Sequence, residues 1–295
     1  MAIRIGTRGS ALALAQSGLI LEALRELGVE AELVPITTSG DRGAVQEDKS
    51  RFVKEIEEAL AAGDVDLAVH SAKDVPGELP EGLAIVGVPE RADPSDALCG
   101  AASLDELGKG PRVGTSSLRR RAQLLAARPD LEVVELRGNI DTRLKKLADG
   151  DYDAIVLAAA GLARLGRTDE GSAIDLTPAA GQGCLALEAR EDDEEIAELA
   201  AELTDRDALL CLTAERAVVT ALDATCRTPV AAYARLTNGA LTMDAFVGLP
   251  DGSVWIRDEL EGDPDDPAAL GLQIAERLIA AGAKDVLAQA EQAAP

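Results

Sequence analysis

Aromatic residues, lysine and histidine are scarce in this sequence of 295 residues. It has five aromatic residues, seven lysines among 29 basic residues, and one histidine. Ala, Leu, Val and Ile must therefore form the core, and base stacking on single-stranded nucleic acid is excluded. The 29 basic residues face 53 acidic ones, which gives a net charge of −24. That sign excludes the phosphate neutralisation on which binding to a duplex depends.

Long apolar runs are also absent. The longest, residues 154–163, is about half of the ~20 residues that a membrane-spanning helix needs. The N-terminus lacks the continuous apolar segment of a signal peptide. The four cysteines lie far apart and match no zinc spacing. We therefore expect a cytoplasmic protein with reduced thiols, no metal and no membrane segment.

The acidic residues crowd into short stretches such as 191–195 and 263–266. One interpretation is adaptation to high salt, because the Debye length falls to ~3 Å at 1 M and screens the self-repulsion. The other is the ordinary acidic surface of a cytoplasmic protein. Our hypothesis is the adaptation to high salt, with the ordinary acidic surface as the alternative.

Two short patterns each occur twice, in the same order along the chain. Residues 5–10 and 113–117 each lead from a short apolar strand through Gly-Thr and small hydroxyl residues into a helix. Residues 62–69 and 149–156 each follow a helix that a glycine ends, and then enter an apolar run typical of a buried parallel strand. We interpret the repetition as two similar α/β lobes. Chance similarity of short Gly/Asp patterns is the alternative.

The C-terminal quarter of the sequence has a different pattern. Asn-Gly at 238–239 and Asp-Gly at 251–252 separate short apolar runs and predict tight hairpins. An Ala/Leu-rich helix follows over about 267–281, which predicts a small α+β domain. Proline interrupts the pattern near 91–94 and 175–178, so these segments are candidate hinges.

Arginine is concentrated at three predicted strand-to-helix turns, in the third of which we expect the strand to end at Arg137. The N-terminus of a helix offers free backbone N–H groups and a partial positive charge, which attract anions. In so acidic a chain, arginines at such turns indicate bidentate recognition of carboxylate or phosphate. Surface solubility or pairing with nearby carboxylates is the alternative for any single arginine. The arginines of the three turns are Arg8; Arg119, Arg120 and Arg121; Arg137 and Arg143.

Residues 69–76 leave a buried strand and enter a loop, and open α/β sheets bind their ligands at such strand ends. Asp74 stands beside Lys73 and could act as a general acid or base, or stabilise a developing cation. Capping its own turn is an equally supported alternative. We predict that His70, the only histidine, is a structural residue with a satisfied side chain.

Cys226 lies in a loop beside Arg227, which could lower the pKa of its thiol and favour the thiolate. The local sequence nevertheless favours a buried, inert cysteine. The same interpretation holds for the other three cysteines, Cys99, Cys184 and Cys211. Residues 181–184, Gly-Gln-Gly-Cys, look similar to a phosphate-binding loop but lack the spacing of a dinucleotide or P-loop fingerprint.

Together these segments resemble the hydroxymethylbilane synthase family, also called porphobilinogen deaminase. The resemblance covers most of the chain, in the family's order, and the C-terminal quarter carries the least of it. The motifs that carry the resemblance are residues 5–16, 69–76, 113–120, 136–144, 160–166, 178–188 and the loop that contains Cys226.

The resemblance implies a transferase that condenses four porphobilinogen molecules head to tail, with loss of ammonia, into linear hydroxymethylbilane. It implies a dipyrromethane cofactor held by a thioether to Cys226, which reverses the inert interpretation of that cysteine. Asp74 matches the family's catalytic carboxylate, which would stabilise positive charge on pyrrole nitrogens. The residues that match the family's binding groups are Arg8, Ser10, Ser71, Lys73, Thr115, Ser117, Arg119, Arg120, Arg137, Arg143 and Arg164. Neither metal nor nucleotide is implied.

The fold that the resemblance implies is α/β with three domains. The first two are similar to the lobes of type II periplasmic binding proteins, and the third is a small α+β domain with an antiparallel sheet. The predicted domains are 1–91 with a chain return over 181–206, then 92–180, then 207–295, which presents Cys226 toward the cleft. A monomer is expected, with porphobilinogen as its partner and neither nucleic acid nor membrane.

The sequence departs from the family at two places. Ala224 and Thr225 replace the Gly-Gly pair that commonly precedes the cofactor cysteine. Residues 47–52 replace a Gly-Gly-Lys-Gly-Leu-Phe stretch, within a lid expected over 43–50. The alternative function is a two-lobed module that binds a small carboxylate without catalysis. Such a module would share the lobes and the arginine turns but would not need a modified cysteine or Asp74.

Overall fold

A computed structural model describes residues 2–38, 50–225 and 228–293. The strands are β1 (Ile3–Arg8), β2 (Ala31–Ile36), β3 (Leu67–Ser71), β4 (Leu83–Gly87), β5 (Asp96–Cys99), β6 (Arg112–Gly114), β7 (Glu132–Val134), β8 (Ala154–Ala158), β9 (Ser172–Ile174), β10 (Leu185–Arg190), β11 (Val230–Thr237), β12 (Ala240–Gly248) and β13 (Trp255–Gly262). The helices are α1 (Ala11–Glu26), α2 (Ser50–Ala61), α3 (Leu118–Ala127), α4 (Ile140–Ala148), α5 (Ala159–Arg164), α6 (Glu194–Glu202), α7 (Arg206–Ala221), α8 (Pro267–Ala280) and α9 (Ala283–Ala293). Short 3₁₀ helices occur at Ala72–Asp74, Leu104–Glu106 and Thr168–Glu170.

Two five-stranded sheets have the same construction. Their strand orders are β2-β1-β3-β10-β4 and β7-β6-β8-β5-β9. In each sheet the first three strands are parallel and the fourth runs antiparallel to the third. The fourth strand arrives from the other lobe, since β5 follows the first lobe directly and β10 returns after the second. This confirms the prediction of two similar α/β lobes.

The repeated Gly-Thr turns lead into capped helices. Helix α1 begins after Ser10, whose Oγ accepts a hydrogen bond from the backbone N–H of Ala13 at 3.3 Å. Helix α3 begins after Ser117, whose Oγ accepts from the N–H of Arg120 at 3.4 Å. Each cap satisfies one of the N–H groups that the first turn of a helix leaves unpaired. The strand-to-helix turns predicted at these positions are therefore confirmed.

The third predicted turn differs in one respect, because β7 ends at Val134 and not at Arg137. Beyond Val134 the carbonyl of Leu136 accepts a hydrogen bond from the hydroxyl of Ser116. The carbonyl of Leu136 is therefore paired with a side chain and not with the backbone of a neighbouring strand. Residues 135–137 consequently form an irregular connection into α4.

The C-terminal part contains an antiparallel sheet of order β11-β12-β13, which α7, α8 and α9 cover. Asn238 and Gly239 have φ angles of 53° and 84°. A two-residue turn with both central residues at positive φ is the one that the Asn-Gly pair predicts. The second hairpin is also present, but its loop is longer than predicted and β13 begins at Trp255. The small α+β domain is confirmed.

Aliphatic side chains fill the interior, as the scarcity of aromatic rings predicts. The largest fully buried side chains are Ile5, Leu24, Ile56, Leu60, Leu98, Leu124, Leu136, Ile155, Leu157, Leu162, Leu187 and Leu212. Within the ranges that the structure describes, no helix is both long and apolar enough to cross a membrane.

The predicted domain limits remain a prediction. The limit between 91 and 92 falls between β4 and β5, and the limit between 180 and 181 falls between β9 and β10. The limit between 206 and 207 falls at the first residue of α7.

Candidate functional site

The loop that follows β3 rests on the chain segment that returns from the second lobe. The N–H of Ala72 donates to the carbonyl oxygen of Cys184 at 3.0 Å. The Nζ of Lys73 donates to Oε1 of Gln182 at 3.3 Å. Asp74 is the last residue of this 3₁₀ turn, and its side chain is partly buried. Residues 182–184 therefore fix the backbone and the lysine on which the position of Asp74 depends.

Two glycines permit this close approach. Gly181 has a φ of +71°, and a Cβ on it would lie 2.9 Å from the backbone nitrogen of Lys73. Gly183 has a φ of +92°, and a Cβ on it would lie 2.3 Å from the carbonyl oxygen of Ala92. Neither position has room for a side chain, and both need the backbone freedom of glycine. The Gly-Gln-Gly pattern is thus a packing motif beneath the Asp74 loop.

Arg119 and Arg120, two of the predicted binding arginines, share the carboxylate of Asp96. Nη1 of Arg119 lies 2.7 Å from Oδ2 of Asp96, and Nη2 of Arg120 lies 2.7 Å from Oδ1. The arginines are 4% and 6% exposed. Burial would raise the pKa of Asp96, but the two guanidinium groups outweigh burial and hold that pKa well below its usual range. The two guanidinium groups and the single carboxylate together carry one buried net positive charge.

Gln182 connects this group to the Asp74 loop. Its Nε2 donates to Oδ1 of Asp96 at 2.9 Å, while its Oε1 accepts from Lys73. Sequence reasoning missed both Asp96 and Gln182. A signal for Asp96 did exist, since a carboxylate within an apolar run such as 96–99 must have a charged or hydrogen-bonding partner if the run is buried. Nothing local indicated which arginines would supply it.

The side chains of Arg143 and Arg164 are partly buried, and most of their guanidinium N–H groups make no hydrogen bond to a residue that the structure describes. Nε of Arg143 donates to Gly138 O, and Nη2 of Arg164 donates to Gly183 O, both at 2.7 Å. These are their only hydrogen bonds to residues that the structure describes, and neither has a carboxylate within ion-pair distance there.

The electrostatics of Arg143 place it between the two lobes. Burial, followed by the nearby charge of Arg120, lowers the pKa of Arg143 to about 10, and the charge of Asp74 opposes the shift. Burial also lowers the pKa of Arg164. Asp74 from the first lobe and Arg143 from the second are thus close enough for their charges to interact.

Three of the remaining predicted residues lie at the ends of strands β1, β3 and β6, whereas Arg137 lies in the irregular connection after β7. Arg8 ends β1 and Ser71 ends β3, and both are partly buried. Thr115 is buried, and its Oγ1 accepts from the N–H of Ser117 at 3.2 Å. Arg137 is exposed, and its Nε lies 2.7 Å from a neighbouring glutamate. The predicted residues that the contacts above bring together from both lobes are Lys73, Asp74, Arg119, Arg120, Arg143 and Arg164.

Cys226 lies outside the described residues, as do residues 43–49 of the predicted lid. The other cysteines are buried free thiols. Burial raises the pKa of Cys99 and of Cys211 to about 11 and that of Cys184 to about 12. At neutral pH these thiols stay protonated, which suits the inert role predicted for them.

The site as a whole suits a ligand that carries several carboxylates. It combines a buried excess of positive charge, guanidinium N–H groups left over for bidentate contacts, and one carboxylate beside them. These groups come from both lobes, so a ligand that they bind must lie between the lobes.

Comparison with known proteins identifies relatives along nearly the whole chain. Residues 3–198 match the family described as "Porphobilinogen deaminase, dipyromethane cofactor binding domain", and residues 209–280 match "Porphobilinogen deaminase, C-terminal domain". Porphobilinogen deaminase of Thermus thermophilus is 48% identical over 294 residues, which are 97% of this chain and 98% of that protein. The Brevibacillus brevis protein of the same name is 46% identical over 300 residues, which are 97% and 96% of the two chains.

Solved structures with a similar arrangement are more distant. The methionine binding protein MetQ has a TM-score of 0.43 and 20% identity, over 71% of this chain and 90% of that one. A periplasmic substrate-binding protein of an ABC transporter from Coxiella burnetii has a TM-score of 0.43 and 17% identity, over 70% and 94%. The two lobes are defined by the strand orders of their own sheets.

Proposed function

The chain belongs to the porphobilinogen deaminase family, and from that premise we propose that it condenses four porphobilinogen molecules head to tail into hydroxymethylbilane. Each addition releases ammonia, so the enzyme is a transferase of tetrapyrrole biosynthesis. Relatives matched over nearly the whole chain are named as this enzyme. That supports catalysis over the alternative of a module that only binds a small carboxylate.

Dipyrromethane is the proposed cofactor, joined through a thioether to Cys226. Residues 3–198 match a family described as a dipyromethane cofactor binding domain, which supports the cofactor itself. The attachment to Cys226 rests on the sequence resemblance. The donor groups fit a molecule whose pyrrole rings carry acetate and propionate. Arg143 and Arg164 offer N–H groups, and the pair of arginines on Asp96 adds net positive charge. When bound, the cofactor would supply the ring carbon to which the first substrate is joined.

Asp74 is the proposed catalytic carboxylate. At each addition the C–N bond of the substrate's aminomethyl group breaks, ammonia leaves, and a C–C bond forms at a ring carbon that then loses a proton. Positive charge develops on the pyrrole nitrogen, and a fixed carboxylate beside that nitrogen stabilises it. Lys73, next to Asp74 in the chain, and Arg143, whose charge interacts with Asp74, would bind the acetate and propionate groups and so orient the ring.

The observation that carries the proposal is that Asp74 of the first lobe and Arg143 of the second lie within range of each other's charge. The charge of Asp74 raises the pKa of Arg143, and the charge of Arg120 lowers it. A carboxylate among several arginines is an arrangement that a binding module for carboxylates would avoid, since it repels the ligand. An enzyme that must stabilise a cation on a polycarboxylate substrate needs both charges.

The first test is the intact mass of the purified protein under denaturing conditions, beside a Cys226→Ser variant. We expect excess mass equal to two linked pyrrole units in the parent protein and none in the variant. An unmodified parent protein that also gains no mass with porphobilinogen would contradict the proposal. The Asp74→Asn variant should keep the excess mass and lose at least about a hundredfold in turnover.

We also propose a cytoplasmic monomer adapted to high salt, which binds neither nucleic acid nor membrane. Free buried thiols suit a reducing compartment. The net charge of −24 opposes binding to nucleic acid and is best tolerated where salt screens it.

A further inference from the structure

Four ionisable side chains interact beside the loop of residues 71–78, which contains Asp74. Glu188 of β10, His70 of β3 and Glu57 of α2 are 1%, 5% and 7% exposed. Nε2 of His70 lies 2.9 Å from Oε2 of Glu188. Arg216 of α7 lies near enough for its charge to interact with the same carboxylate. Burial lowers the pKa of Arg216, and the charge of Glu188 opposes that shift.

The sheet register explains why these groups meet. His70 is opposite Ala186 in the antiparallel pair of β3 and β10, and Glu188 is opposite Ala68. His70 and Glu188 are therefore diagonal neighbours on one face of the sheet, within reach of each other's side chains. Neither oxygen of Glu188 has a hydrogen bond among the described residues. The imidazole of His70, 2.9 Å away, and the charge of Arg216 are what compensate the burial of this carboxylate.

His70 and Arg216 are both tied to the loop that contains Asp74, one on each side. His70 precedes Ser71, the last residue of β3, and the 3₁₀ turn that ends at Asp74 follows directly. Arg216 donates from Nη2 to the carbonyl oxygens of Pro76 at 2.8 Å and Gly77 at 2.9 Å. Glu188 thus attracts one group before Asp74 and one group that holds the backbone after it.

We propose that Glu188 is a positioning residue for the condensation, which fixes the Asp74 loop through His70 on one side and Arg216 on the other. The inference rests on the proposed role of Asp74. Glu188 itself touches no ligand-binding group described above, so it acts on the rate through the loop and not through binding.

Glu57 makes this arrangement sensitive to pH. Burial, followed by the negative charge of Glu188, raises the pKa of Glu57 to about 7, while His70 opposes the shift and Glu58 adds to it. When Glu57 ionises, a second carboxylate competes with Glu188 for His70. The ionisable groups that interact with Glu57 or with Glu188 come from α2, the sheet and α7. They are Glu188, His70, Glu58 and Arg216.

The main test compares Glu188→Gln with the parent holoenzyme. We expect kcat to fall about tenfold or more with KM changed less than about twofold, because the variant loses rate without losing ligand contacts. Hydrogen exchange of residues 71–78 should increase, while that of residues 240–248 stays unchanged. The control is Asp244→Asn, which removes a buried carboxylate from the C-terminal sheet and should leave kcat and the exchange of 71–78 as in the parent.

If Glu188→Gln does not fold, Arg216→Gln tests the same arrangement from the other side, with the same expected loss of kcat and faster exchange of 71–78. Normal kcat and exchange in the variant that folds would overturn the inference. Asp74→Asn in the same assay separates the two ideas. Normal turnover of Asp74→Asn would refute the role of Asp74 itself, and slow turnover with normal Glu188→Gln would refute only the positioning role.

The pH dependence gives a second readout. Between about pH 6 and pH 9, kcat of the parent should show an ionisation near pH 7 that Glu57→Gln lacks. Glu58→Gln is the matched control, one residue further along α2 with an exposed side chain. It should keep that ionisation, at a somewhat lower pH, because it removes a charge that raises the pKa of Glu57. Identical profiles for Glu57→Gln and the parent would overturn the link between Glu57 and the loop.

Discussion

Arg91 and Glu215 form a buried ion pair that joins the end of the first lobe to α7, with Nη1 of Arg91 2.6 Å from Oε1 of Glu215. The glutamate also accepts from the backbone N–H of Gly181 at 2.6 Å and of Ala234 at 2.8 Å. Burial would lower the pKa of Arg91, but the charge and the hydrogen bond of Glu215, with smaller effects of its other neighbours, together raise that pKa. One carboxylate therefore ties together three distant parts of the chain.

Replacing Glu215 with Gln should destabilise the protein strongly. Removing one partner of a buried pair leaves an uncompensated charge and typically costs about 3–5 kcal/mol. We expect a loss of this size in the free energy of unfolding measured in urea. Glu276→Gln, on the exposed face of α8, is the control and should change the free energy by less than ~0.5 kcal/mol. A loss below about 1 kcal/mol for Glu215→Gln would mean that the pair contributes little.

Asp96 should contribute a stability that acid removes. The pKa of this carboxyl in the folded protein lies well below its unfolded value, because Arg119 and Arg120 outweigh the effect of burial. Such a group stabilises the fold above the unfolded pKa of about 4, and the stability is lost as pH falls toward the folded pKa.

The test is urea unfolding of the parent protein and of Asp96→Asn at about pH 7 and pH 3. At neutral pH the variant should be less stable by about 3–5 kcal/mol, since two buried guanidinium groups lose their partner. At acid pH the difference should shrink. A difference that stays constant with pH would show that hydrogen bonding, and not charge, is what Asp96 supplies.

Local features of this fold were predictable, and long-range pairs were not. The Asn-Gly hairpin at 238–239 and the caps at Ser10 and Ser117 depend on neighbours within a few residues, so a sequence pattern reveals them. Arg119 and Asp96 are 23 residues apart, Gln182 and Asp96 are 86 apart, and Arg91 and Glu215 are 124 apart.

This difference explains how the arginines were interpreted. Their clustering at strand ends was visible, but the sequence cannot show which of them a carboxylate such as Asp96 would partly neutralise. From the sequence, Arg119, Arg120 and Arg143 were all predicted to bind the ligand. The structure separates them. Arg119 and Arg120 each donate to Asp96 and to a backbone carbonyl, whereas the guanidinium group of Arg143 makes a single hydrogen bond to the residues described.

Arg143 should show opposite effects on binding and on stability. Replacing it with Gln removes a carboxylate-binding group and should raise KM about tenfold. Because burial lowers its pKa to about 10, its charge is unfavourable to the unliganded fold. The variant should therefore be slightly more stable, by about 1 kcal/mol after allowing for its partial exposure.

Steady-state kinetics and urea unfolding of Arg143→Gln check both effects. Arg25→Gln is the control, since Arg25 lies on the surface beside Glu22 and should change neither quantity. A KM equal to that of the parent protein would exclude Arg143 from substrate binding, whatever its effect on stability.

Added salt should stabilise this protein by screening the repulsion between its carboxylates. At a net charge of −24, carboxylates such as those at 191–195 repel one another across the surface, and raising KCl from about 0.1 M to 1 M shortens the Debye length from ~10 Å to ~3 Å. Screening worth about 2 kcal/mol would raise Tm by roughly 4–8 °C. Differential scanning calorimetry over a KCl series measures this, with betaine, which carries no net charge, as the control for exclusion of the solute. A Tm that stays flat in KCl, or that rises equally in betaine, would favour an ordinary acidic surface over adaptation to salt.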